Sequence, residues 1–367
     1  MKKASEVRGV RNLFNSSGRL VALMGVLFTG IIVITGIVAI MMGDGQIPPL
    51  FASSSSSQED SSQSQEAPEE PEDGGEEIPA ITQPVVYNKP DEMKGVWLIP
   101  GQDFLASGDS SEETVKGEID SALDTAVQMN LNTVIIQTAG QEGVIYNSSN
   151  FPVLTTFFDP LEYAISQARA RGMYVYCIYN TLYVGDGDSI GRASGMDAAT
   201  VNFIREELGN FVTTYHPDGV FLDEYYNEET SGSYGAYLAQ GGGIGYENYM
   251  GSVSRVALET AADVVRNKAP GMQLGILTDA VWANKSQNEA GSDTSAEFTA
   301  LYSGNADVKA FLEDGMFDSV AVKAYGSTAS STEPFDTVTA WWGSLADSVG
   351  VPMYVVHAAD LMGTSGG

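Results

Sequence analysis

The chain has 367 residues, of which 43% are hydrophobic, and its formal net charge at pH 7 is -30. This length and composition allow one large globular domain with appended segments, and the acidic charge argues against nucleic-acid binding, which needs clustered Lys and Arg. A single cysteine excludes an internal disulfide, and the two histidines match no zinc-binding spacing, so we predict no metal and no cofactor.

The N-terminal segment predicts a membrane anchor. Residues 1–19 are basic, with Glu6 as their only acid, and residues 20–42 carry no charge. A helix over 20–42 would be about 34 Å long, enough to cross a bilayer. Basic residues stay on the cytoplasmic side, so we expect a single-pass protein of the cell membrane whose main domain is extracellular. A cleaved signal peptide is the alternative, but its apolar region is shorter, about 7 to 15 residues.

Residues 43–88 predict a disordered linker between the anchor and the main domain. They are rich in Ser, Glu and Pro and contain no basic residue. Such a segment has too little apolar surface to offset its ordering entropy and repels itself. We therefore expect it to act as a tether, and place the main domain at residues 89–367.

Within 89–367, short apolar runs alternate with helix-like stretches. The predicted strands are 95–99, 133–137, 174–179, 219–222, 274–277, 319–322 and 353–356, and the predicted helices are 112–129, 160–171, 197–214, 246–268, 305–314 and 335–348. Helix signals support this assignment, for example the N-cap Asp159 followed by Pro160, with Gly172 as the stop. Strict alternation predicts a parallel sheet covered by helices, either an eight-fold barrel or an open doubly wound sheet.

The number of strands decides how complete the domain is. The seventh strand ends near His357, and the residues behind it are too few for another helix and strand. We therefore expect an α/β fold of the (β/α)8 TIM-barrel type that lacks its last unit in this chain, and we interpret the chain as a fragment of a longer protein.

The fourth strand carries the strongest candidate site. The apolar run 220–222 ends in Asp223 and Glu224, followed by Tyr225, and buried strands cannot hold such charges unpaired. In a barrel, the carboxyl ends of the strands form the rim where chemistry takes place. Other strand ends contribute further residues to that rim, namely Trp97, Gln137, Asn180, Asp279, Lys323, Tyr325, His357 and Asp360. Acids, amides and aromatic rings together are typical of a sugar-binding site.

Glycoside hydrolysis usually needs two carboxyl groups on either side of the scissile bond. Adjacent residues of a strand point to opposite faces, so Asp223 and Glu224 are not automatically that pair. Asp279 is our first choice as the distant partner, and Asp360 is the second. A substrate with an N-acetyl group could instead react through its own carbonyl oxygen, with one protein acid protonating the leaving oxygen. Spacing alone leaves both mechanisms open.

Four other features favour structural roles. Residues 185–189 lack the glutamate of a calcium loop, which favours an exposed turn. The glycines at 241–243 neither follow a predicted strand nor precede a lysine, which argues against a phosphate loop. His216 precedes the fourth strand, on the opposite rim, and Trp341 with Trp342 falls inside a helix that should pack on the sheet.

The order and spacing of several short motifs resemble the glycosyl hydrolase-like family ten, formerly a domain of unknown function. The resemblance covers about residues 92–360 and rests on 93–98, 132–137, 171–173, 178–180, 218–225, 274–276, Trp282, Tyr325 and 341–342. The resemblance implies a TIM-barrel glycosidase outside the cytoplasm. It also implies a glycan substrate, because characterised members of the family act on the glycan strands of peptidoglycan. Asp223 and Glu224 would then occupy the positions of the family's acidic pair, with Asn180 and Tyr325 lining the site. The sequence departs from the family pattern at Glu224, where a second aspartate is expected, and at Lys323 and His357, where amides are expected.

These observations lead to one main hypothesis and two alternatives. The main hypothesis is a membrane-anchored glycoside hydrolase acting on peptidoglycan strands, with Asp223, Glu224 and Asp279 as catalytic residues. The remaining rim residues, including Tyr225, are expected to bind substrate. The alternatives are a non-catalytic module that binds cell-wall carbohydrate and a hydrolase of capsule or another extracellular polysaccharide.

Overall fold

The computed structural model describes residues 85–106, 111–140, 142–155 and 157–358. The predicted basic tail, the predicted transmembrane helix at 20–42, most of the predicted linker and Asp360 lie outside these residues. No helix in the described ranges combines the length and the apolar character needed to cross a membrane.

The strands follow the predicted pattern closely. In chain order they are β1 (Gly95–Leu98), β2 (Thr133–Gln137), β3 (Tyr174–Asn180), β4 (Tyr183–Gly185), β5 (Ile190–Arg192), β6 (Gly219–Asp223), β7 (Gln273–Asp279), β8 (Ser319–Lys323) and β9 (Met353–Val356). Seven of them form one parallel sheet in the order β1-β2-β3-β6-β7-β8-β9, and β4 pairs with β5 as a separate antiparallel hairpin. The strand order of the sheet never reverses, which excludes the doubly wound alternative.

Helices connect successive strands of this sheet. They are α1 (Glu112–Gln128), α2 (Pro160–Ala170), α3 (Ala198–Tyr215), α4 (Ser231–Gln240), α5 (Tyr246–Lys268), α6 (Val308–Glu313) and α7 (Phe335–Val349). The predicted cap of α2 is present, since Asp159 accepts a hydrogen bond from the backbone N–H of Glu162 at 2.9 Å. Gly172 adopts a positive φ of 74° after the helix, a conformation that favours glycine.

Two apolar clusters lie on the two faces of the sheet. The large cluster joins one face to the helices and includes Trp342, which is fully buried, as predicted. The small cluster contains Tyr176, Ile178, Phe221, Leu277 and Ala321 from four neighbouring strands. In it, the rings of Phe221 on β6 and Tyr354 on β9 lie 6.1 Å apart, although two strands separate them in the sheet. The sheet is therefore curled, with the small cluster on its concave face, as in a barrel.

Two elements were absent from the sequence-based assignment. The β4–β5 hairpin follows β3, and α4 follows β6. Both therefore extend from the carboxyl ends of strands, where a barrel places its functional loops. The turn 185–189 closes the hairpin, and the Asp186 carboxylate accepts hydrogen bonds from the N–H groups of Asp188 and Ser189. The turn thus has the structural role that was expected for it.

Candidate active site

A cavity of about 470 Å³ opens at the carboxyl ends of the sheet strands. Eight of the predicted site residues line it, and they lie on or directly after six of the strands, β1, β2, β3, β6, β7 and β8. They are Trp97, Gln137, Asn180, Asp223, Glu224, Asp279, Lys323 and Tyr325. Ala139, Gly140, Ile178 and Tyr183 complete the lining. The parallel sheet thus brings together residues from strands that are far apart in sequence.

Lys323 lies between two carboxylates at the base of this cavity. Its Nζ is 3.1 and 3.0 Å from the two carboxylate oxygens of Asp223, and 3.9 Å from Oδ1 of Asp279. These three residues end β8, β6 and β7, which are neighbours in the sheet. One partly buried cation is therefore shared by two acids, and the group carries a net negative charge when all three are ionised.

Burial and neighbouring charges shift the pKa values of these groups. Burial raises the pKa of Asp223, and the Lys323 ammonium opposes that rise. Burial also raises the pKa of Asp279, where the negative charges of Asp223 and Glu224 add to the effect and Lys323 opposes it. For Lys323, burial acts to lower the pKa, but the charges of Asp223 and Asp279 outweigh it and raise the pKa. The lysine therefore stays charged, and it compensates the charge of Asp223, which it contacts through both oxygens, more directly than the charge of Asp279.

Both members of the Asp223–Glu224 pair face the cavity, contrary to simple strand alternation. The reason is the backbone of Glu224, which has a positive φ of 52° and so ends the extended conformation of β6. This conformation is uncommon for a residue with a side chain and is typical of functional sites. The carbonyl of Glu224 accepts a hydrogen bond from the N–H of Leu182 at 3.2 Å, which fixes this turn.

Arg192 on the β4–β5 hairpin holds the Glu224 side chain. Its guanidinium pairs with the Glu224 carboxylate and donates a second hydrogen bond to the carbonyl of Tyr226. Sequence analysis missed Arg192, because the three-residue strand that carries it shows no readable periodicity. Tyr183, which lines the cavity from the same hairpin, was missed for the same reason.

Aromatic rings form part of the cavity wall. Tyr325 is 41% exposed. Trp97 lies on the first strand of the sheet. The indole N–H of Trp97 is buried and has no hydrogen-bond partner among the described residues. Rings of this kind can pack against the C–H faces of a sugar.

Two of the predicted site residues within the described ranges are not part of this cavity lining. Tyr225 is fully buried, and its ring packs on Tyr226 with centroids 4.6 Å apart, because the turn at Glu224 sends the next side chain into the core. His357 is exposed and stacks on Phe335 at 5.1 Å. The structure therefore does not bring Tyr225 and His357 into the cavity lining, and Asp360 lies outside the described residues.

No group of three His, Cys, Asp or Glu side chains in the described ranges is arranged to hold a metal ion. In the cavity, Lys323 occupies the space between Asp223 and Asp279 where a cation would bind. The arrangement is instead suited to proton transfer and to stabilising positive charge on a bound ligand.

Comparison with known proteins identifies relatives of this chain. No family model matches it. It is 23% identical over 339 residues to the protein named glycosyl hydrolase DigH of Escherichia coli, a match covering 77% of this chain and 75% of that protein. It is 22% identical over 319 residues to glycosyl hydrolase YngK of Bacillus subtilis, covering 73% and 61% of the two chains.

Solved structures to which the chain shows some similarity include an endo-1,4-beta-mannanase from Rhizomucor miehei. It has a TM-score of 0.47 and 11% identity, and the match covers 73% of this chain and 78% of that one. An endocellulase from Pyrococcus horikoshii gives a TM-score of 0.46 and 12% identity, with coverage of 76% and 78%. The sequence matches to DigH and YngK confirm the predicted resemblance, and the chain is thus a relative of bacterial proteins named glycosyl hydrolases.

Proposed function

We propose that the protein is a glycoside hydrolase whose catalytic carboxylates are Asp223 and Asp279, with Glu224 beside them. The observation that carries this proposal is the shared Lys323, which contacts Asp223 at 3.0 Å and Asp279 at 3.9 Å inside the cavity. It gives two acids in one cavity different environments, which is how a pair of carboxyl groups divides acid and nucleophile roles. The names of the relatives support the same activity.

The spacing of the two acids favours a retaining mechanism. Because both reach the same Nζ, their facing oxygens are no farther apart than the sum of 3.0 and 3.9 Å. Retaining enzymes place their carboxyl groups about 5–5.5 Å apart, and inverting enzymes about 6.5–9.5 Å apart. This limit, which applies to the oxygens nearest Lys323, includes the retaining distance and reaches only the lower end of the inverting range.

The environments assign a role to each acid. Asp223 is paired with Lys323 through both carboxylate oxygens and acts as the anionic nucleophile on the anomeric carbon. Asp279, whose pKa is raised chiefly by burial, gives its proton to the leaving oxygen as the glycosidic bond breaks. The negative charge of Glu224 adds to that rise in pKa and so helps to keep the proton on Asp279 until the bond breaks. Asp279 then removes a proton from water, whose oxygen attacks the anomeric carbon and releases Asp223.

The proposed substrate is the glycan strand of peptidoglycan, with the enzyme held at the cell membrane by the predicted helix at 20–42. Three features support this choice: the predicted anchor and acidic linker, the resemblance given by the sequence motifs, and a cavity wall that combines amides with aromatic rings. The amides Gln137 and Asn180 would bind sugar hydroxyl or acetamido groups. The linker would set how far from the membrane the domain reaches.

The test is the release of reducing ends from purified peptidoglycan glycan strands by the protein and its variants. Asp223→Asn, Glu224→Gln and Asp279→Asn should each reduce release by at least about a hundredfold while binding of the strands persists. Asp263→Asn, on the outer surface of α5, is the matched control and should behave like the wild type. Unchanged hydrolysis in the three cavity variants would contradict the assignment of the site.

Two other outcomes would identify the alternative functions. Strand binding by the wild type without any reducing-end release would indicate a non-catalytic carbohydrate-binding module. Hydrolysis of a capsule polysaccharide but not of peptidoglycan strands would keep the chemistry and change the substrate.

A further inference from the structure

An exposed and uncharged surface lies on the segment between β6 and α5. Thr230 to Tyr246 contains no charged residue, although Glu229 and Glu247 border it in this acidic chain. Three large side chains of the segment are exposed, Tyr234 by 52%, Leu238 by 64% and Ile244 by 45%. We call this group, with the partly buried rings of Tyr237 and Tyr246, the tyrosine surface. Exposed apolar groups that cluster in this way mark binding surfaces more often than isolated ones do.

The tyrosine surface is held in place by ring packing and hydrogen bonds. The ring of Tyr246 lies 5.5 Å from that of Tyr234 and 5.2 Å from that of Tyr237, both at steep angles. The hydroxyl of Tyr237 donates to the carbonyl of Ile244 at 3.2 Å. Thr230 and Ser233 close the start of α4 with reciprocal hydrogen bonds. A ligand that packs on these rings would therefore encounter a surface with little freedom left to lose.

This surface is connected to the candidate active site by direct contacts. Glu224 in the cavity pairs with Arg192. Residues 194–195, just beyond Arg192, pack so closely on α4 that the glycines at this contact leave no space for a larger side chain. A Cβ atom at Gly232 would lie 2.6 Å from Oγ of Ser194, and one at Gly195 would lie 2.8 Å from Cβ of Ala236. The hairpin wall of the cavity and α4 thus form one continuous stretch of the rim.

We propose that the tyrosine surface is a second glycan-binding subsite, which holds sugar rings of the same strand beyond the bond that is cleaved. The inference rests on the proposed function and adds the requirement for a long polymeric substrate. A strand with one bond at Asp223 and Asp279 must continue outside a cavity of about 470 Å³. Tyrosine rings bind the apolar faces of sugars, and the absence of charge from Thr230 to Tyr246 avoids a desolvation cost on binding.

The experiment compares binding of long and short glycan strands. The probes are peptide-free peptidoglycan strands, separated into a long fraction and a tetrasaccharide, and binding is measured with the Asp279→Asn background so that cleavage does not interfere. Tyr234→Ala and Leu238→Ala, each in this background, should weaken binding of long strands about tenfold, which corresponds to loss of one stacked ring or apolar contact. Binding of the tetrasaccharide should be unchanged.

Two control variants separate packing from other effects. Met129→Ala is matched to Leu238→Ala, because Met129 is 66% exposed but precedes β2, on the opposite rim, and it should leave long-strand binding intact. Tyr234→Phe keeps the ring and should restore binding. Equal binding of long strands by Tyr234→Ala, Leu238→Ala and their parent would overturn the inference, as would an equal loss of binding in Met129→Ala.

The inference and the proposed function fail in different ways. If the wild type does not cleave strands but the tyrosine variants still bind long strands more weakly, the proposed hydrolase activity is wrong and the subsite stands. If the wild type cleaves strands, and the tyrosine variants in the active background cleave long and short strands at wild-type rates, the subsite is wrong and the hydrolase stands.

Discussion

At the scale of single residues, the buried ion pair between Lys323 and Asp223 makes a stability prediction. Asp223 is 7% exposed, so Asp223→Asn or Lys323→Met leaves one charge of the pair buried with weaker compensation. Each single variant should lower the free energy of unfolding by about 3–5 kcal/mol. The double variant should cost clearly less than the two single changes added together, because it removes both charges. Urea denaturation of all four proteins measures this coupling, and additive losses would show that the pair does not act as a unit.

The pKa of Asp279 makes a prediction for the pH dependence of activity. As proton donor, Asp279 must be protonated, so kcat/KM should fall as pH rises through its pKa in the folded protein. The negative charge of Glu224 helps to raise this pKa, and the positive charge of Lys323 helps to lower it. Glu224→Gln should therefore move the basic limb of the profile to lower pH, and Lys323→Met should move it to higher pH.

The comparison uses the position of the limb on the pH axis and not the absolute rate, so a lowered kcat/KM does not affect it. Asp263→Asn, far from the cavity, should leave the limb where it is in the wild type. Shifts of Glu224→Gln and Lys323→Met in the same direction would contradict the role of Asp279 as the titrating acid.

At the scale of secondary-structure elements, the β4–β5 hairpin has a defined task. Arg192 binds both the Glu224 carboxylate and the Tyr226 carbonyl, and so stabilises a left-handed residue whose backbone costs about 1–3 kcal/mol. Arg192→Ala should lower kcat by about a hundredfold through misplacement of Glu224, with a smaller change in KM. Arg205→Ala, an exposed arginine on α3, provides the comparison. A variant with normal kcat would show that the cavity forms without the hairpin.

The elements also show where sequence-based prediction succeeds. The seven sheet strands were predicted because each is an apolar run between helices with readable caps, such as Asp159 before α2. Helix α4 and the hairpin were missed, since α4 contains Gly232 and Gly235 and the hairpin strands have three residues each. Both elements are too short, and α4 too rich in glycine, to show a recognisable hydrophobic periodicity in the sequence.

The candidate site was predicted from one rule, that residues after parallel strands meet at one rim. The rule succeeded for Asp279 and Lys323, whose strands β7 and β8 follow that of Asp223 in the sheet. It failed for Tyr225, because strand alternation assumes an extended backbone and Glu224 has a positive φ. The local sequence gives no signal for the positive φ of Glu224, because this backbone conformation depends on contacts with the hairpin.

At the scale of the whole molecule, the curled sheet requires glycines opposite its largest inward rings. A Cβ atom at Gly275 on β7 would lie 2.4 Å from ring atoms of Phe221 on β6, and one at Gly219 would lie 2.3 Å from the ring of Tyr176 on β3. Gly275→Ala should therefore lower the free energy of unfolding by about 1–3 kcal/mol through overpacking. Gly117→Ala, in an open position on α1, should instead raise it by about 0.5–1 kcal/mol. Thermal and urea denaturation distinguish the two, and a stabilising Gly275→Ala would show that the concave face is not tightly packed.

The net charge of -30 makes a prediction about substrates as a class. Peptide-free peptidoglycan strands carry carboxylates, which an acidic protein repels over a distance of about 30 Å at 0.01 M salt but only about 10 Å at 0.1 M. Raising the salt concentration across that range should increase kcat/KM for these strands several-fold, because association is slowed by like charge. A neutral oligomer of N-acetylglucosamine, if it is cleaved, should show no such increase. A decrease with salt for the charged strands would mean that a local cationic surface, and not the overall charge, governs how the strand approaches the cavity.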